Sequence, residues 1–375
     1  MNKKLLTAAI GAALAAGPML AQADVKVYGK LHVSVDYLDA KDAGTLGVNG
    51  RKATTVSSNA SRWGLDISEK LGGGMTAIAK LEQTIMADGE SSSQDTRNRY
   101  VGMKGKFGQI IAGIHDTPLK DISRTVELFP EYIGDNRNIF GDTIGGSGVN
   151  TTRGWDLRPA NAIKYSTPAM NGFVAEYLYS ADAVSNTAKE DNSNRLWSLG
   201  LKYSKGPLYV AYARESHRFN NIPTGGTTSE TGDRLGASYN FGAFKLVGLY
   251  QSLSDLGGTD KDAGDSSVKR KSWMLGGAYT AGNNVFKLQY AKADDLSNNS
   301  VGASAPETGA KMWALGWDHL FSKTTKAYIA YAKTDNGSSA AFTVNGPSGG
   351  VHSDSIAPAT GANPSAWSVG MIVDF

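Results

Sequence analysis

The chain of 375 residues contains 38 lysine and arginine residues against 35 aspartate and glutamate residues, and it has no cysteine. This near-neutral charge indicates neither a nucleic-acid surface nor a polybasic membrane patch. The absence of cysteine excludes a disulfide framework and thiol chemistry.

The N-terminal residues have the features of a secretory signal peptide. Lys3 and Lys4 precede a long apolar run, and Ala21-Gln22-Ala23 forms a small-x-small cleavage site. We therefore expect residues 1–23 to be removed on export. Subtracting the two lysines leaves 36 basic against 35 acidic residues in the mature protein. No linker or composition shift divides residues 24–375, which are expected to form one large domain.

Most of the mature chain alternates between apolar and polar residues. From Val25 to Tyr37 the odd positions are almost all apolar and the even positions mostly polar, which is typical of a β-strand with one apolar face. No mature segment approaches the ~18 uncharged apolar residues of a membrane-spanning helix. The pattern predicts sixteen strands, at Val25–Tyr37, Arg62–Ser68, Met75–Ile85, Asn98–Lys104, Gln109–Ile114, Ala160–Thr167, Gly172–Ser180, Arg195–Ser204, Pro207–Glu215, Asp233–Asn240, Ala243–Ser252, Lys271–Thr280, Asn284–Ala293, Ala310–Leu320, Thr325–Lys333 and Pro364–Phe375.

The connections and the aromatic residues indicate a membrane barrel. Short turns such as Leu71–Gly74 alternate with long polar loops such as Ala181–Asn194. Trp197 and Tyr203 share an apolar face six positions apart, or ~20 Å along the strand, which is near the height of a lipid-facing band. An aromatic-rich soluble sandwich is the alternative. In lipid, only helices and closed barrels leave no backbone group unpaired. The sequence thus predicts an all-β fold, a 16-stranded antiparallel transmembrane β-barrel wide enough for an aqueous channel.

The alternation stops between residues 114 and 159. A connection of this length is usually functional or disordered. Its apolar residues, which include Phe129, Tyr132 and Phe140, provide enough surface to pack against something. We expect a long loop folded into the space that the strands enclose.

Several short motifs lie in order along the mature chain: Val27-Tyr28-Gly29, Ser61-Arg62-Trp63-Gly64, Glu69-Lys70-Leu71-Gly72, Arg99-Tyr100-Val101-Gly102, Ala162-Ile163-Lys164-Tyr165-Ser166-Thr167-Pro168 and the terminal Phe375. Together they resemble the trimeric general porins of Gram-negative outer membranes, in particular the proteobacterial and neisserial branch. The resemblance covers the whole mature chain. It implies an outer-membrane protein that forms a homotrimer among lipid and lipopolysaccharide. It also implies that Phe375 is an assembly signal for the barrel-assembly machinery.

In this family the long loop narrows the channel, and the resemblance implies that residues 114–159 form this constriction loop. Pro130-Glu131-Tyr132-Ile133-Gly134-Asp135 matches the family's Pro-Glu-Phe-Gly-Gly-Asp motif, from which Tyr132 and Ile133 depart. Glu131 thereby matches a pore-lining carboxylate, and Glu127 a second one.

Acidic loop residues and basic wall residues are therefore expected to face each other across the channel, where their field would orient polar solutes. Solvated wall positions away from the constriction are the alternative for the basic residues, and structural anchoring is the alternative for the two glutamates. The candidate acidic residues are Asp116, Asp121, Glu127, Glu131 and Asp135, and the candidate basic residues are Lys30, His32, Arg62, Lys80 and His115.

No enzymatic chemistry is indicated. The five histidines include no pair at metal-ligand spacing, and the chain has neither a Gly-x-Ser-x-Gly elbow nor a phosphate-binding glycine loop. We expect an outer-membrane porin for passive diffusion of small hydrophilic solutes and ions, with no cofactor, metal or nucleic acid. A sugar- or anion-selective channel, with Tyr132 as the candidate sugar contact, and a plugged barrel acting as an adhesin or anchor are the alternatives. The near-neutral charge leaves open whether anions or cations pass preferentially.

Overall fold

The structure is a computed structural model that describes residues 23–41, 52–89, 96–141, 154–183, 194–221, 226–256, 268–297, 307–345 and 358–375. The predicted signal peptide, apart from Ala23, lies outside the described residues. The strands of the described part are β1 (Asp24–Lys41), β2 (Lys52–Ser58), β3 (Arg62–Gly72), β4 (Met75–Thr84), β5 (Thr96–Gly105), β6 (Gly108–Ile114), β7 (Ala162–Ser166), β8 (Phe173–Ser180), β9 (Arg195–Lys205), β10 (Leu208–Asn221), β11 (Gly226–Phe241), β12 (Phe244–Leu256), β13 (Val268–Ala281), β14 (Asn284–Ala293), β15 (Ala310–Leu320), β16 (Thr325–Asn336) and β17 (Asn363–Asp374). Two helices, α1 (Pro118–Thr125) and α2 (Arg137–Phe140), lie between β6 and β7.

All of these strands belong to one antiparallel sheet that closes on itself. β1 pairs with β17 along one edge, through Lys30–Lys41. Its other edge pairs with β3 through Asp24–Lys30 and with β2 through Val33–Asp39. β2 and β3 therefore share one position in the wall, and the described part of the chain forms a barrel of sixteen strands. The predicted fold is confirmed.

The outer surface of the barrel is apolar, with aromatic residues near both ends. At the long-loop end, Tyr290 contacts Trp273 and Trp313, with ring centroids 5.2 and 4.4 Å apart. At the short-turn end, Phe244 and Tyr279 are in ring contact at 4.8 Å. Trp273 and Tyr279, which are six positions apart on β13 like Trp197 and Tyr203 on β9, thus mark the two edges of the lipid-facing band. Within the described ranges these outward apolar side chains pack against no second layer, and they are therefore placed to face lipid.

The inner surface differs between the two halves of the barrel. Along β10 and β14–β17 the inward positions are often alanine, and these alanines are buried. Along β1–β9 the inward positions carry charged side chains such as Lys30, Glu82 and Lys202. The small residues leave space on one side of the interior, and the loop between β6 and β7 fills it.

Two regions that the sequence pattern assigns to loops are strands. Lys52–Ser58 forms β2 between the predicted strands Val25–Tyr37 and Arg62–Ser68. β10 extends to Asn221 and β11 begins at Gly226, between the predicted strands Pro207–Glu215 and Asp233–Asn240. Polar residues dominate the sequence of these segments, so the apolar alternation that marks a lipid-facing strand is absent although the backbone pairing continues. Among the described residues, no helix is long and apolar enough to cross a membrane.

Candidate functional site

The loop between β6 and β7 begins with helix α1, which packs on the barrel wall. Thr117 caps the helix by accepting a hydrogen bond from the Lys120 amide, and Pro118 occupies its first turn. Leu119, Ile122 and Val126, at helical spacing, are completely buried. The helix is therefore fixed along β8–β11, with Asp121 and Arg124 on its opposite face.

Glycines in the wall permit this close approach. A Cβ atom at Gly236 would lie 2.4 Å from Ile122 Cγ2, and one at Gly316 would lie 2.7 Å from Phe129 Cε1. Any larger inward side chain at these positions would displace the loop. The glycines thus match the shape of the wall to that of the loop.

Arg234 of β11 holds both ends of the loop against the wall. Its buried guanidinium donates to the carbonyl oxygens of Leu119, Phe140 and Trp155 and to the carboxylate of Asp156 at 3.0–3.3 Å. A planar guanidinium with five N–H donors suits this convergence of acceptors. The sequence interpretation missed Arg234, although strand alternation places it on the inward face.

The middle of the loop turns sharply and reaches the opposite wall. Glu131 (φ 66°) and Gly134 (φ 75°) adopt the left-handed conformation. Ile133, which replaces a glycine of the family motif, is buried. Tyr132 is also buried and donates a hydrogen bond to Asp318 at 3.1 Å. It therefore does not line the lumen as the candidate sugar contact.

Glu131 joins the loop to two basic residues of the wall. Its carboxylate lies 2.8 Å from Lys30 Nζ and 2.7 Å from Arg62 Nη1. Burial by itself raises the pKa of Glu131, but Arg62 and Lys30 outweigh this effect and lower the pKa to about 2. Glu131 thus meets these two predicted basic residues in direct contact instead of facing them across water.

Glu127 and Asp135 lie inside the loop. Asp135 forms ion pairs with Arg124 and Arg137 at 3.0 and 2.9 Å. Burial raises the pKa of Asp135, but these guanidinium groups outweigh it and hold the pKa below its usual range. Glu127 accepts hydrogen bonds from the amides of Phe129 and Asn136, and burial followed by the Asp135 charge raises the pKa of Glu127. Both side chains are fully buried, so their geometry is that of loop anchors.

Two further loop carboxylates lie near the start of α1. Asp116 pairs with Lys120 at 3.0 Å and with Arg158 at 2.9 Å. Burial raises the pKa of Asp116, but these two cations outweigh it and hold the pKa well below its usual range. Asp121 pairs with Lys164 and Lys202 of the wall at 3.0 and 3.3 Å. Both carboxylates are partly exposed and lie among basic side chains.

The remaining predicted basic residues are dispersed. His32 is buried under the loop, with Nε2 2.8 Å from the Tyr328 hydroxyl. Lys80 pairs with Asp66, four residues or ~13 Å along β3 from Arg62 towards the short turns. His115 Nδ1 lies 2.7 Å from the Asp116 carbonyl oxygen, and burial lowers the pKa of this imidazole. Of the predicted basic residues, the structure brings only Lys30 and Arg62 to Glu131.

Two arginines that the sequence interpretation missed complete the charged surface. A register shift between Leu81 and Gln83 marks a bulge in β5. It turns Arg97 inward, where its Nε donates to Glu82 at 2.5 Å, while Arg99 on the outer face bonds to Gln83. The second arginine, Arg158, pairs with Asp116 at 2.9 Å. Arg97 lies close enough to Arg62 and Arg158 for the three positive charges to repel one another. A bulge changes the strand periodicity, so alternation alone does not predict this cluster.

A closed sixteen-stranded barrel with a charged loop folded into its lumen defines a membrane-spanning β-barrel channel. A profile described as Gram-negative porin matches residues 6–339, and the chain belongs to this family. Outer membrane porin protein 32 of Delftia acidovorans is 30% identical over 94% of the chain and 95% of its own length. The chain is an outer-membrane porin, a channel for the passive diffusion of small hydrophilic solutes and ions, and the family and fold indicate a channel rather than an enzyme.

Solved structures show the same architecture. The anion-selective porin from Comamonas acidovorans superposes with a TM-score of 0.74 and 28% identity, covering 94% of this chain and all of that one. The trimer form of OmpT from Vibrio cholerae superposes with a TM-score of 0.64 and 17% identity, covering 94% of this chain and 99% of that one. The chain thus shares its overall fold with other outer-membrane porins.

Proposed function

We propose that this porin conducts anions in preference to cations. One observation carries the proposal: the arginines at the lumen surface are more exposed than the carboxylates with which they pair. The Arg62 side chain is 22% exposed against 12% for Glu131, and Arg124 is 22% exposed against 0% for Asp135. The same order holds for Arg97 with Glu82. At these ion pairs, a solute in the channel therefore meets the guanidinium group before the carboxylate.

The physical reason is that a narrow channel with low-dielectric walls strengthens the field of the charges at its surface. Guanidinium groups remain protonated throughout the physiological range, so their charge persists. Anions are concentrated at such a surface, whereas cations are repelled. The Comamonas relative, described as anion-selective, has 28% of its residues in common with this chain.

Two arginines on the same strand provide a matched test. Arg97 faces the lumen and Arg99 faces outward, so each can be replaced by glutamine in a full-length protein reconstituted in planar bilayers. We expect Arg97→Gln to shift the reversal potential in a KCl gradient towards cations, and Arg99→Gln to leave it unchanged. Equal shifts from the two variants would show that the lumen-facing arginine does not set selectivity.

A homotrimer is the proposed assembly. OmpT, which shares the fold, has a trimer form. Small residues such as Ala77 and Ala79 lie on the outer face of β4, where a neighbouring barrel would pack closely. Crosslinking of the protein in native membranes should yield a trimer band that disappears on heating. A monomer band alone would contradict the proposal.

Lipopolysaccharide is the proposed partner of the outer surface at the long-loop end. Outward lysines of neighbouring strands lie just beyond the aromatic contacts there: Lys271, Lys292, Lys311 and Lys333. Lys292 and Lys311 are direct cross-strand partners, and Trp313 is the cross-strand partner of Lys333. Lys292 and Lys333 also pair with Asp294 and Asp335 at 2.8 and 2.6 Å, and lipid phosphates would be complementary to the lysines of this row where they compete with these carboxylates. Replacing the four lysines with glutamine should reduce the lipopolysaccharide that co-purifies with the protein, and an unchanged amount would exclude this site.

Two proposals concern the ends of the chain. If residues 1–23 are a cleaved signal peptide, N-terminal sequencing of the exported protein should start at Asp24.

If the assembly machinery recognises Phe375, Phe375→Ser should reduce membrane insertion in cells more than refolding in detergent. Equal losses in both assays would favour a purely structural role for this ring.

A further inference from the structure

A recess lies beneath the loop, at the short-turn ends of β11–β16. Its volume is about 340 Å³, which is within the usual range of small-molecule sites. Loop residues Glu127, Leu128 and Pro130 form its upper side. The inward side chains of the strand ends form its wall. The recess thus opens towards the side of the barrel that carries the short turns.

The recess contains an unpaired cation. Three lysines line it, of which Lys287 and Lys326 share the carboxylate of Asp318 at 2.7 and 3.1 Å. Lys245 is half-buried, and within the described ranges no acidic side chain pairs with it. The Glu127 carboxylate is already bound by two backbone amides and Arg124. The recess therefore retains a positive charge that an anion would balance.

Apolar side chains form part of the remaining lining, beside the polar Asn240 and Thr280. Leu128 and Pro130 of the loop face Val285 and Ala278 of the wall. The rings of Phe129 and Tyr132 lie against Lys287, whose Nζ is 4.7 and 4.0 Å from the two ring centroids. A purely hydrated inorganic ion would leave this apolar surface wet. A carboxylate attached to a compact apolar body would contact both the cation and the apolar lining.

We propose that this recess binds small organic acids with an apolar body, with the carboxylate on Lys245 and the body against Leu128, Pro130 and Val285. The bound acid would occupy the short-turn side of the constriction. The proposal does not require an anion preference of the conducting pathway, because binding can be measured directly.

Calorimetric titration of the full-length protein in detergent, corrected for detergent alone, tests this site with benzoate as the probe. Benzoate should bind more tightly than acetate, which lacks the apolar body, and than benzamide, which lacks the charge. Lys245→Gln should weaken benzoate binding by roughly two- to fivefold, the effect of one partly solvated ion pair. Lys245→Arg should retain binding.

Lys104 provides the matched control. It is an exposed lysine at the short-turn end of β5, on the other side of the barrel. Lys104→Gln removes the same charge from the mouth and should leave benzoate affinity unchanged. If Lys104→Gln and Lys245→Gln weakened benzoate binding equally, the binding would result from general electrostatic attraction and the proposed site would be wrong. No measurable benzoate binding, or equal affinity for benzamide, would overturn the proposal.

Discussion

The carboxylate of Glu131 lies 2.7 Å from the guanidinium of Arg62, which connects the middle of the loop to the wall strand β3. With Lys30 on the same carboxylate, this contact spans the interior from the loop to the charged half of the barrel. The loop is thereby anchored on both sides, by Arg234 at its ends and by Glu131 at its turn.

Glu131→Gln should lower the free energy of unfolding by about 3 kcal/mol, the value corresponding to a pKa lowered from 4.5 to about 2. The variant leaves Arg62 and Lys30 without their shared partner. Urea denaturation of the refolded protein measures the change. Asp66→Asn, which removes an exposed partner of Lys80, should have little effect. Equal decreases in the free energy of unfolding for the two variants would show that the ion pairs of Glu131 do not stabilise the loop more than an exposed ion pair does.

The same carboxyl group predicts a response to acid. The pKa of Glu131 is lower in the folded than in the unfolded state. Between about pH 4.5 and about pH 2, the folded state therefore binds fewer protons than the unfolded state. The contribution of Glu131 to stability is therefore present above this window and is lost as the pH falls through it. The difference in stability between the wild type and Glu131→Gln should shrink on acidification from pH 5 to pH 2. A constant difference would contradict this assignment.

Gly236→Ala should force α1 away from the wall, because the new Cβ would lie 2.4 Å from Ile122 Cγ2. Overpacking of this kind costs ~1–3 kcal/mol and should alter single-channel conductance. Gly248→Ala, on the next strand, is the matched control, because its Cβ would make only ordinary contacts, with Leu275 Cδ2 at 3.5 Å and the Met274 carbonyl oxygen at 3.8 Å. Identical conductance of both variants would indicate that the helix does not pack as described.

Arg234→Lys should release the loop despite keeping the positive charge. A lysine has one ammonium group and cannot reach the carbonyl oxygens of Leu119, Phe140 and Trp155 together. Loss of several buried hydrogen bonds should lower the free energy of unfolding by ~2–4 kcal/mol. Movement of the released loop should also increase the noise of the channel current. Protease accessibility of the loop measures its release, and an unaltered cleavage rate would refute the anchoring role.

Phe375 and Gly29 should behave as a coupled pair. Their backbones exchange two hydrogen bonds at 2.9 and 3.0 Å, and a Cβ at Gly29 would lie 2.2 Å from the Phe375 ring. Gly29→Val and Phe375→Ala should each lower the temperature at which the folded band disappears on unheated gels. Because both substitutions disrupt the same contact, this temperature should fall less in the double variant than the sum of the decreases in the two single variants. Full additivity would show that the residues act independently.

Strand alternation was sufficient to predict the barrel and the inward loop, because the lipid-facing side of each strand must be apolar. It did not predict which loop carboxylates face the lumen. Glu127 and Glu131 are four residues apart, yet one is enclosed by loop amides and the other reaches the wall. That difference depends on the turn at Glu131 and Gly134 and on wall residues distant in sequence. The inward direction of Arg97 likewise depends on a bulge, which local periodicity does not reveal.

The proposed anion preference requires that solutes pass through an open lumen whose surface carries guanidinium groups. The most direct test is the reversal potential of the wild-type protein in a planar bilayer under a KCl gradient. We predict stepwise conductance and a reversal potential of the sign produced by chloride permeating faster than potassium. A potential of the opposite sign would contradict the anion preference, and the absence of any conductance would contradict the channel itself.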